Sequence, residues 1–343
     1  SPTVLFIIYL PIIEEMYSVL KLEKGSSTAS MLMVGLVICT GVSSGMTPIA
    51  HVFPLMAMDF YEAATGLTIS YTSYMAFAIL VGLLTFLAMM LVFKFILKPN
   101  LLEISNMSLD EMKNEMTSMD KREKTILTVF FIVILLWVLP DLVKPILPEF
   151  SASLNALGTA FPPLLGVVAL SILTYEGKPL LNFSEAMAKG VPWRALIMAA
   201  GTLALGSALS NADIGLTDAL GNAIAPLATS MAPLAMVLLF AAWTSIQTNL
   251  SSNMVTVTVV SSVAIPVCLA TNGAVNTAAV ASIVGALSAY AFAFPPAMPS
   301  VALAGASGWT SSTALAKYGM LVALAATLIA VAVGYPIASV LMP

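Results

Sequence analysis

Two sets of small polar residues stand at one fixed separation in an otherwise oily chain of 343 residues. Ser1-Pro2-Thr3 is followed by Thr47-Pro48, and Ser252-Asn253-Met254 by Met298-Pro299, each serine standing 47 residues before its proline. Hydroxyls, an amide and proline-interrupted backbone suit binding rather than bond-breaking. A helix that starts beside such residues leaves its first N–H groups unpaired and carries a partial positive charge of about half an elementary charge. Two such starts facing each other suit a ligand with two carboxylates. Thr3, Thr47, Asn253 and Thr256 would add donors, and the prolines keep the backbone from re-forming helix.

The medium around these residues follows from composition. Hydrophobic residues make up 59% of the chain and charged residues 9%, with a mean hydropathy of +1.00; a soluble globular protein carries about 25% charged residues. The chain therefore reads as an all-α integral membrane protein. After Asp218 the only charged side chain is Lys317, so whatever that half binds is held by dipoles and hydroxyls. Cys39 and Cys268 lie in apolar runs, which argues against a disulfide framework or a metal site. No cleavable signal peptide is expected at Ser1-Pro2-Thr3, which lacks a basic flank, and no nucleic-acid partner is expected.

The elements that must position the polar residues can be read from hydrophobic runs. Plain spans, about 20 residues each, are expected at residues 71–97, 125–143, 154–174, 195–209 with an extension, and 318–341. Two helices are expected to be discontinuous. Residues 31–39 run into the polar stretch 40–48 and resume over 49–60, and residues 278–293 break at 294–299 before resuming. Residues 3–20 and 255–270 are half-length apolar segments, and 232–245 rises to meet the latter across 246–251. That pattern predicts a re-entrant hairpin, whose polar tip is tolerated at membrane depth only where it lines a cavity. A duplicated unit with matched interruptions is the pattern of a secondary transporter.

Basic residues set the expected orientation. Lys21, Lys24, Lys94, Lys98, Lys113, Lys121, Arg122, Lys124, Lys178, Lys189, Arg194 and Lys317 fall on one side when the spans are threaded alternately, and only Lys144 lies opposite. The positive-inside rule makes that side the cytoplasm, in a multi-pass plasma-membrane protein. The segment after Ser1 then starts and ends inside, while the one around Ser252 enters and leaves from outside, so the repeats are expected to be inverted. Residues 99–123 are the one strongly charged connection. Leu101, Leu102 and Ile104 would let it lie at the interface as a structural arm, and residues 179–193 would do likewise with Phe183, Met187, Val191 and Trp193. Glu14, Glu15 and Lys21 read as solvated caps rather than a gate.

These residues resemble the divalent anion:sodium symporter family of INDY-type di- and tricarboxylate carriers. Ser1-Pro2-Thr3 with Pro11, and Thr248-Asn249-Leu250-Ser251-Ser252-Asn253-Met254-Val255-Thr256, are similar to that family's two Ser-Asn-Thr hairpin tips. Gly45-Met46-Thr47-Pro48-Ile49-Ala50-His51 and Pro295-Pro296-Ala297-Met298-Pro299-Ser300-Val301 are similar to its two Thr-Pro helix breaks. Val191-Pro192-Trp193-Arg194, followed by Gly201-Thr202-Leu203-Ala204-Leu205, is similar to its Pro-Trp and Gly-rich stretch. The resemblance covers essentially the whole chain and implies an elevator-type carrier working as a homodimer. Substrate contacts are then implied for Ser1, Pro2, Thr3, Gly45, Thr47, Pro48, His51, Ser252, Asn253, Met254, Thr256, Met298 and Pro299.

The departures shape the expected mode of transport. Pro2 stands where the family has Asn, Met254 and Met298 where it has Thr, and His51 where it has Thr or Ser. In sodium-coupled members the tip Ser and Asn ligate sodium, and a hard cation wants oxygen. Losing the first Asn favours the family's exchanger branch, which swaps one dicarboxylate for another. Sodium is the coupling ion that the alternative, a dicarboxylate or citrate symporter, would need; Thr248, Ser251, Asn253 and Ala297 are its candidate ligands, and no other cofactor is expected. His51, the single histidine, reads either as a donor to a substrate carboxylate or as a packing residue satisfied by a backbone carbonyl. If it is a donor, His51→Ala weakens dicarboxylate binding and removes pH dependence of uptake below about pH 6.5.

Other classes fit less well. An enzyme would need a catalytic constellation, and one His, two isolated Cys and no acidic pair at membrane depth leave serine without a base. A channel would use continuous spans rather than broken hairpins. The expected organisation is transport elements over 1–97, an interfacial linker over 98–124, scaffold helices over 125–231 and second-repeat transport elements over 232–343. Symmetry between the repeats predicts a further scaffold and hairpin arm ahead of Ser1, without which these residues alone are not expected to transport.

Overall fold

The computed structural model describes residues 2–100, 119–144, 146–158, 161–190, 193, 197 and 231–343. The chain divides into two compact units, Ser1–Met107 with Ala199–Pro343, and Ser108–Met198.

In the larger unit the first set of helices is α1 (Pro2–Val19), α2 (Ser27–Gly45), α3 (Val52–Thr65) and α4 (Tyr71–Val92), the last continued by a π-helical turn at Phe93–Leu97. The smaller unit holds α5 (Lys121–Val143), α6 (Pro148–Ala156), α7 (Phe161–Ile172), a two-stranded antiparallel hairpin of β1 (Thr174–Tyr175) and β2 (Lys178–Pro179), and α8 (Phe183–Glu185), which runs into a π-helical turn at Ala186–Gly190. Back in the larger unit come α9 (Pro233–Leu250), α10 (Asn253–Leu269), α11 (Thr277–Ser288), α12 (Pro299–Ala306) and α13 (Ser312–Ile329), which passes through a π-helical turn into α14 (Tyr335–Leu341).

One order of elements therefore occurs twice in the larger unit. A hairpin arm leads to a helix that breaks, the helix resumes, and a long apolar span follows. Among the described residues, Ser27–Gly45, Tyr71–Leu97, Pro233–Leu250 and Ser312–Leu341 are long and apolar enough to cross a membrane. Packing interleaves the two halves. The arm α1 lies on α2 of its own half and on α12 of the other, while the arm α10 lies on α11 of its own half and on α3 of the other. Glycines permit the closest approaches: a side-chain carbon on Gly285 would sit 3.0 Å from Ala57 Cβ and 3.0 Å from Pro54 Cα.

Several boundaries differ from the sequence reading, each for a physical reason. The helix expected to end at Cys39 continues to Gly45. Its polar run is absorbed because Thr40, Ser43 and Ser44 donate to carbonyls within their own helix, at 2.9, 3.2 and 2.7 Å. The expected hairpin tip over 246–251 shrinks to Ser251-Ser252, since α9 stays helical through Leu250. The helix expected over 278–293 ends at Ser288.

The single span expected over 154–174 is instead two helices, α6 and α7. Gly158, at φ +80°, turns the chain between them, and Pro162-Pro163 allow a helix to begin there but not to run through. Of the expected interfacial element at 179–193, Pro179 belongs to β2. Phe183 and Trp193 are exposed, and Trp193 Nε1 donates to the Met187 carbonyl at 2.6 Å. Val191, the arm around Leu101, Leu102 and Ile104, the span at 195–209 apart from Ile197, Arg194 and the Gly201–Leu205 motif residues lie outside the described residues.

Candidate functional site

The two breaks share one geometry. At the first, the Ala50 N–H donates to the Thr47 carbonyl at 3.3 Å, closing a turn with Pro48 at its second position; His51, extended at φ −148° and ψ 151°, immediately precedes α3. At the second, the Ala297 N–H donates to the Phe294 carbonyl at 3.1 Å, closing a turn with Pro295 at its second position; Met298, extended at φ −153° and ψ 140°, immediately precedes α12. Proline pre-sets the backbone for that turn position. The structural equivalents are thus Pro48 with Pro295 and His51 with Met298. The spacing of 47 residues, which paired Pro48 with Pro299, is offset from this register, because Pro299 is the first residue of α12.

The breaks meet. A side-chain carbon on Gly45, at the end of α2, would lie 2.7 Å from Tyr290 Cε1 and 2.9 Å from the Ala286 carbonyl oxygen. Only glycine lets the end of α2 come this close to the end of α11 and the residues that follow it.

Helix ends at the breaks are treated asymmetrically. Carbonyl ends are tied off by side chains: Tyr74 OH donates to the Gly45 carbonyl at 2.8 Å, Thr248 Oγ1 to the Ser288 carbonyl at 2.7 Å, and Asn249 Nδ2 to the Tyr290 carbonyl at 3.0 Å. Amide ends are left open. No side chain caps the starts of α3, α10 and α12, whose preceding residues are His51, Ser252 and Met298. By contrast, α2, α4, α11 and α13 are capped by Ser26, Ser70, Asn276 and Ser311. The start of α9 also lacks a cap; Pro233 there removes one of the orphan donors, as Pro299 does at the start of α12, where the Val301 N–H also donates to the Met298 carbonyl at 3.0 Å and Ser300 keeps the open N–H. Replacing such a cap by a residue that cannot accept costs about 1 kcal/mol, so three uncapped starts at the breaks and tip call for another acceptor.

A second observation points the same way. Five buried side-chain polar atoms among the described residues have no hydrogen-bond partner: His51 Nδ1, Ser261 Oγ, Ser288 Oγ, Tyr290 OH and Ser300 Oγ. Four of them belong to the breaks or their flanking turns. Buried polar groups are otherwise nearly always paired, so a cluster of exceptions marks a place where a ligand, ion or water completes the bonding.

The second tip and second break are joined by Asn253. With the amide oriented by its surroundings, its nitrogen lies 3.2 Å from the Thr248 carbonyl oxygen, 3.1 Å from the Ala297 carbonyl oxygen and 3.1 Å from Thr248 Oγ1. One end of this side chain therefore faces oxygens alone.

The residues singled out in the sequence fall as follows. Thr248, Asn253 and Ala297 come together, while the Ser251 hydroxyl donates back to the Gln247 carbonyl at 3.0 Å. Thr256 is buried but donates to the Ser252 carbonyl at 3.1 Å, so it braces the tip instead of offering a free donor. Thr47 Oγ1 accepts from the Ala50 N–H at 3.2 Å, which keeps its own proton available. His51 stacks on Phe53 with ring centroids 3.9 Å apart, and its Nδ1 is not satisfied by a backbone carbonyl. Met254, Met298 and Pro48 are buried, and Pro299 is exposed. At the first tip Pro2 is buried and Thr3 half-buried; Ser1 lies outside the described residues.

Tyr74, Asn249 and Tyr290 were not legible as site residues. The signal for Asn249 was its place in the polar run Gln247-Thr248-Asn249 of an otherwise apolar helix.

The family model for the sodium:sulfate symporter transmembrane region matches residues 4–342 of the chain. No curated protein matches it.

Proposed function

We propose that the chain, which belongs to the sodium:sulfate symporter family of multi-pass membrane transporters, carries a C4 or C5 dicarboxylate of the succinate, malate or 2-oxoglutarate type by exchange. The observation that carries this reading is the asymmetry of the helix ends: carbonyls at the breaks are tied off, while the amide ends of α3, α10 and α12 are uncapped. An array of free N–H groups with aligned dipoles attracts negative charge. Starts contributed by two breaks and a tip suit a dianion with separated carboxylates better than a monoanion.

In this reading one carboxylate is held by the first tip and first break, with Thr3, Thr47 and His51 as donors. The other is held by Ser252, the backbone N–H of Asn253 and the start of α12, with Gly45 and Met298 shaping the cavity and the Asn253 side chain tying tip to break. Tips and breaks, inverted between the halves, move together as an elevator against a scaffold, and two copies associate through that scaffold in the plasma membrane. The interleaved packing of α1 on α12 and of α10 on α3 supports motion as one body.

The alternative is sodium symport, and the Asn253 environment favours it. The oxygens of Thr248 and the Ala297 carbonyl, with the Asn253 oxygen if its amide turns, form a neutral all-oxygen donor set that fits a hard cation. A bound sodium ion would supply positive charge beside the anion. Sulfate, also a dianion and the anion for which the family is named, is the competing substrate under either mode.

Uptake of labelled succinate into proteoliposomes decides between these modes. Exchange predicts uptake that rises with internal dicarboxylate and is indifferent to sodium. Strict sodium dependence without stimulation from inside overturns exchange, and uptake of sulfate but not succinate overturns the dicarboxylate assignment.

A further inference from the structure

Asn249 uses every hydrogen bond its side chain can make. It is fully buried on α9, one residue before the helix ends. Nδ2 donates to the Ser245 carbonyl at 2.9 Å and the Tyr290 carbonyl at 3.0 Å, and Oδ1 accepts from the N–H groups of Phe292 and Ala293, both at 3.0 Å. A primary amide has two donors and two lone pairs, so none is left over. Three of these four bonds fall on the non-helical backbone between α11 and α12, where Tyr290, Phe292 and Ala293 are fully buried.

We propose that Asn249 is a positioning residue, an amide splint that holds the second break unwound and fixes it to the hairpin tip. Its bonds replace those that this backbone would make as helix: the Phe292 and Ala293 N–H groups are directed to Oδ1 instead of back along α11. The splint stands on the same arm as Thr248 and Ser252. The tip that opens α10 and the turn that opens α12 are thereby held at one spacing, although they come from separate elements. Asn249 has no bonding capacity left for the anion and acts only through the geometry it imposes. This inference rests on the anion-carrier reading, which needs that spacing to match the distance between two carboxylates.

The test compares wild type, Asn249→Leu and Asn249→Asp by hydrogen exchange over residues 288–298 and by the concentration dependence of succinate uptake in proteoliposomes. Leucine keeps the branched shape, with somewhat greater bulk, and removes all four bonds. Aspartate keeps acceptors for the Phe292 and Ala293 N–H groups but donates to Tyr290 only when protonated. Asn249→Leu is expected to speed exchange at Phe292 and Ala293 by about tenfold or more, and to raise KM about tenfold with Vmax within about twofold.

Asn249→Asp is expected to keep those two amides protected, and to recover KM relative to wild type as pH falls from about 7.5 to about 5.5, towards the carboxyl range. Unchanged exchange in Asn249→Leu overturns the splint. Faster exchange with unchanged KM overturns its positioning role. If Asn249→Leu does not fold, the pH-dependent recovery of Asn249→Asp decides, and its absence counts against the proposal. Wild type that takes up no succinate sinks the dicarboxylate reading instead, and the exchange comparison then decides the splint alone.

Discussion

Replacing Asn253 by Leu is expected to lower anion uptake by about 100-fold while leaving the protein able to reach the membrane. The substitution keeps the branching of the side chain and removes the donor shared by the Thr248 and Ala297 carbonyls. A buried acceptor left unpaired costs about 1–3 kcal/mol, and roughly 2.7 kcal/mol is a factor of 100 in affinity. The loss falls on the bonded link between the second tip and the second break, so binding suffers more than folding. Uptake and surface expression, measured on the same cells, separate the two. Asn253→Asp is informative about the mode of transport, because a carboxylate there repels the anion but strengthens an all-oxygen cation site. Loss of uptake agrees with exchange, whereas retained, sodium-dependent uptake contradicts it.

Gly319→Ala is expected to be the most damaging single-methyl change in the described residues. Its added carbon would lie 2.7 Å from the Phe292 carbonyl oxygen and 2.8 Å from Ala293 Cα, both backbone atoms that cannot rotate away. Overpacking of this kind costs about 1–3 kcal/mol and occasionally more. Here α13 would have to separate from the segment that Asn249 holds. Thermal unfolding in detergent should show a fall of several degrees, about 2–4 °C per kcal/mol for a chain of moderate size. Gly35→Ala is the control: its nearest neighbours are Phe93 ring atoms, at 3.3 and 3.8 Å, and a side chain can give way. Equal stability of the two variants would show that the second break is softer than its packing implies.

Much of the fold was legible because membrane segments announce themselves by length and apolarity, and because proline within a polar stretch marks a helix break, although Pro11, Pro140 and Pro266 lie inside α1, α5 and α10 without ending them. The hairpin α9–α10, the discontinuities before α3 and α12 and the last span all came from those two signals. The exact ends did not. Thr40, Ser43 and Ser44 look like loop residues in sequence, yet inside an apolar helix their hydroxyls are satisfied by the backbone one turn earlier, and polarity ceases to mark the boundary. The converse holds after Ser288. Ala289–Ala293 is apolar enough to continue a helix, and what stops it is the Asn249 amide, more than forty residues away in sequence.

The candidate site was half legible for a related reason. Residue types at the tips and breaks indicated dipoles and hydroxyls, but not which hydroxyls were already engaged. Thr256 is spent on the Ser252 carbonyl, while the unpaired Tyr290 and Ser300 hydroxyls lie beside the motif residues. The register of the two breaks was legible only in part. Equal spacing aligned Pro48 with Pro299, whereas the turn and cap geometry aligns Pro48 with Pro295 and so places His51 opposite Met298. That correction makes His51 the one ionisable residue at the two break caps.

The claim that uncapped helix starts from both halves bind a single dianion is tested most directly by equilibrium binding of labelled succinate to the purified protein, with acetate and sulfate as competitors. The account predicts one succinate per chain, displaced by other dianions and displaced by acetate only at concentrations about 100-fold higher, since acetate can engage only one set of donors. Acetate competing as well as succinate, or two independent succinates per chain, would contradict a shared site.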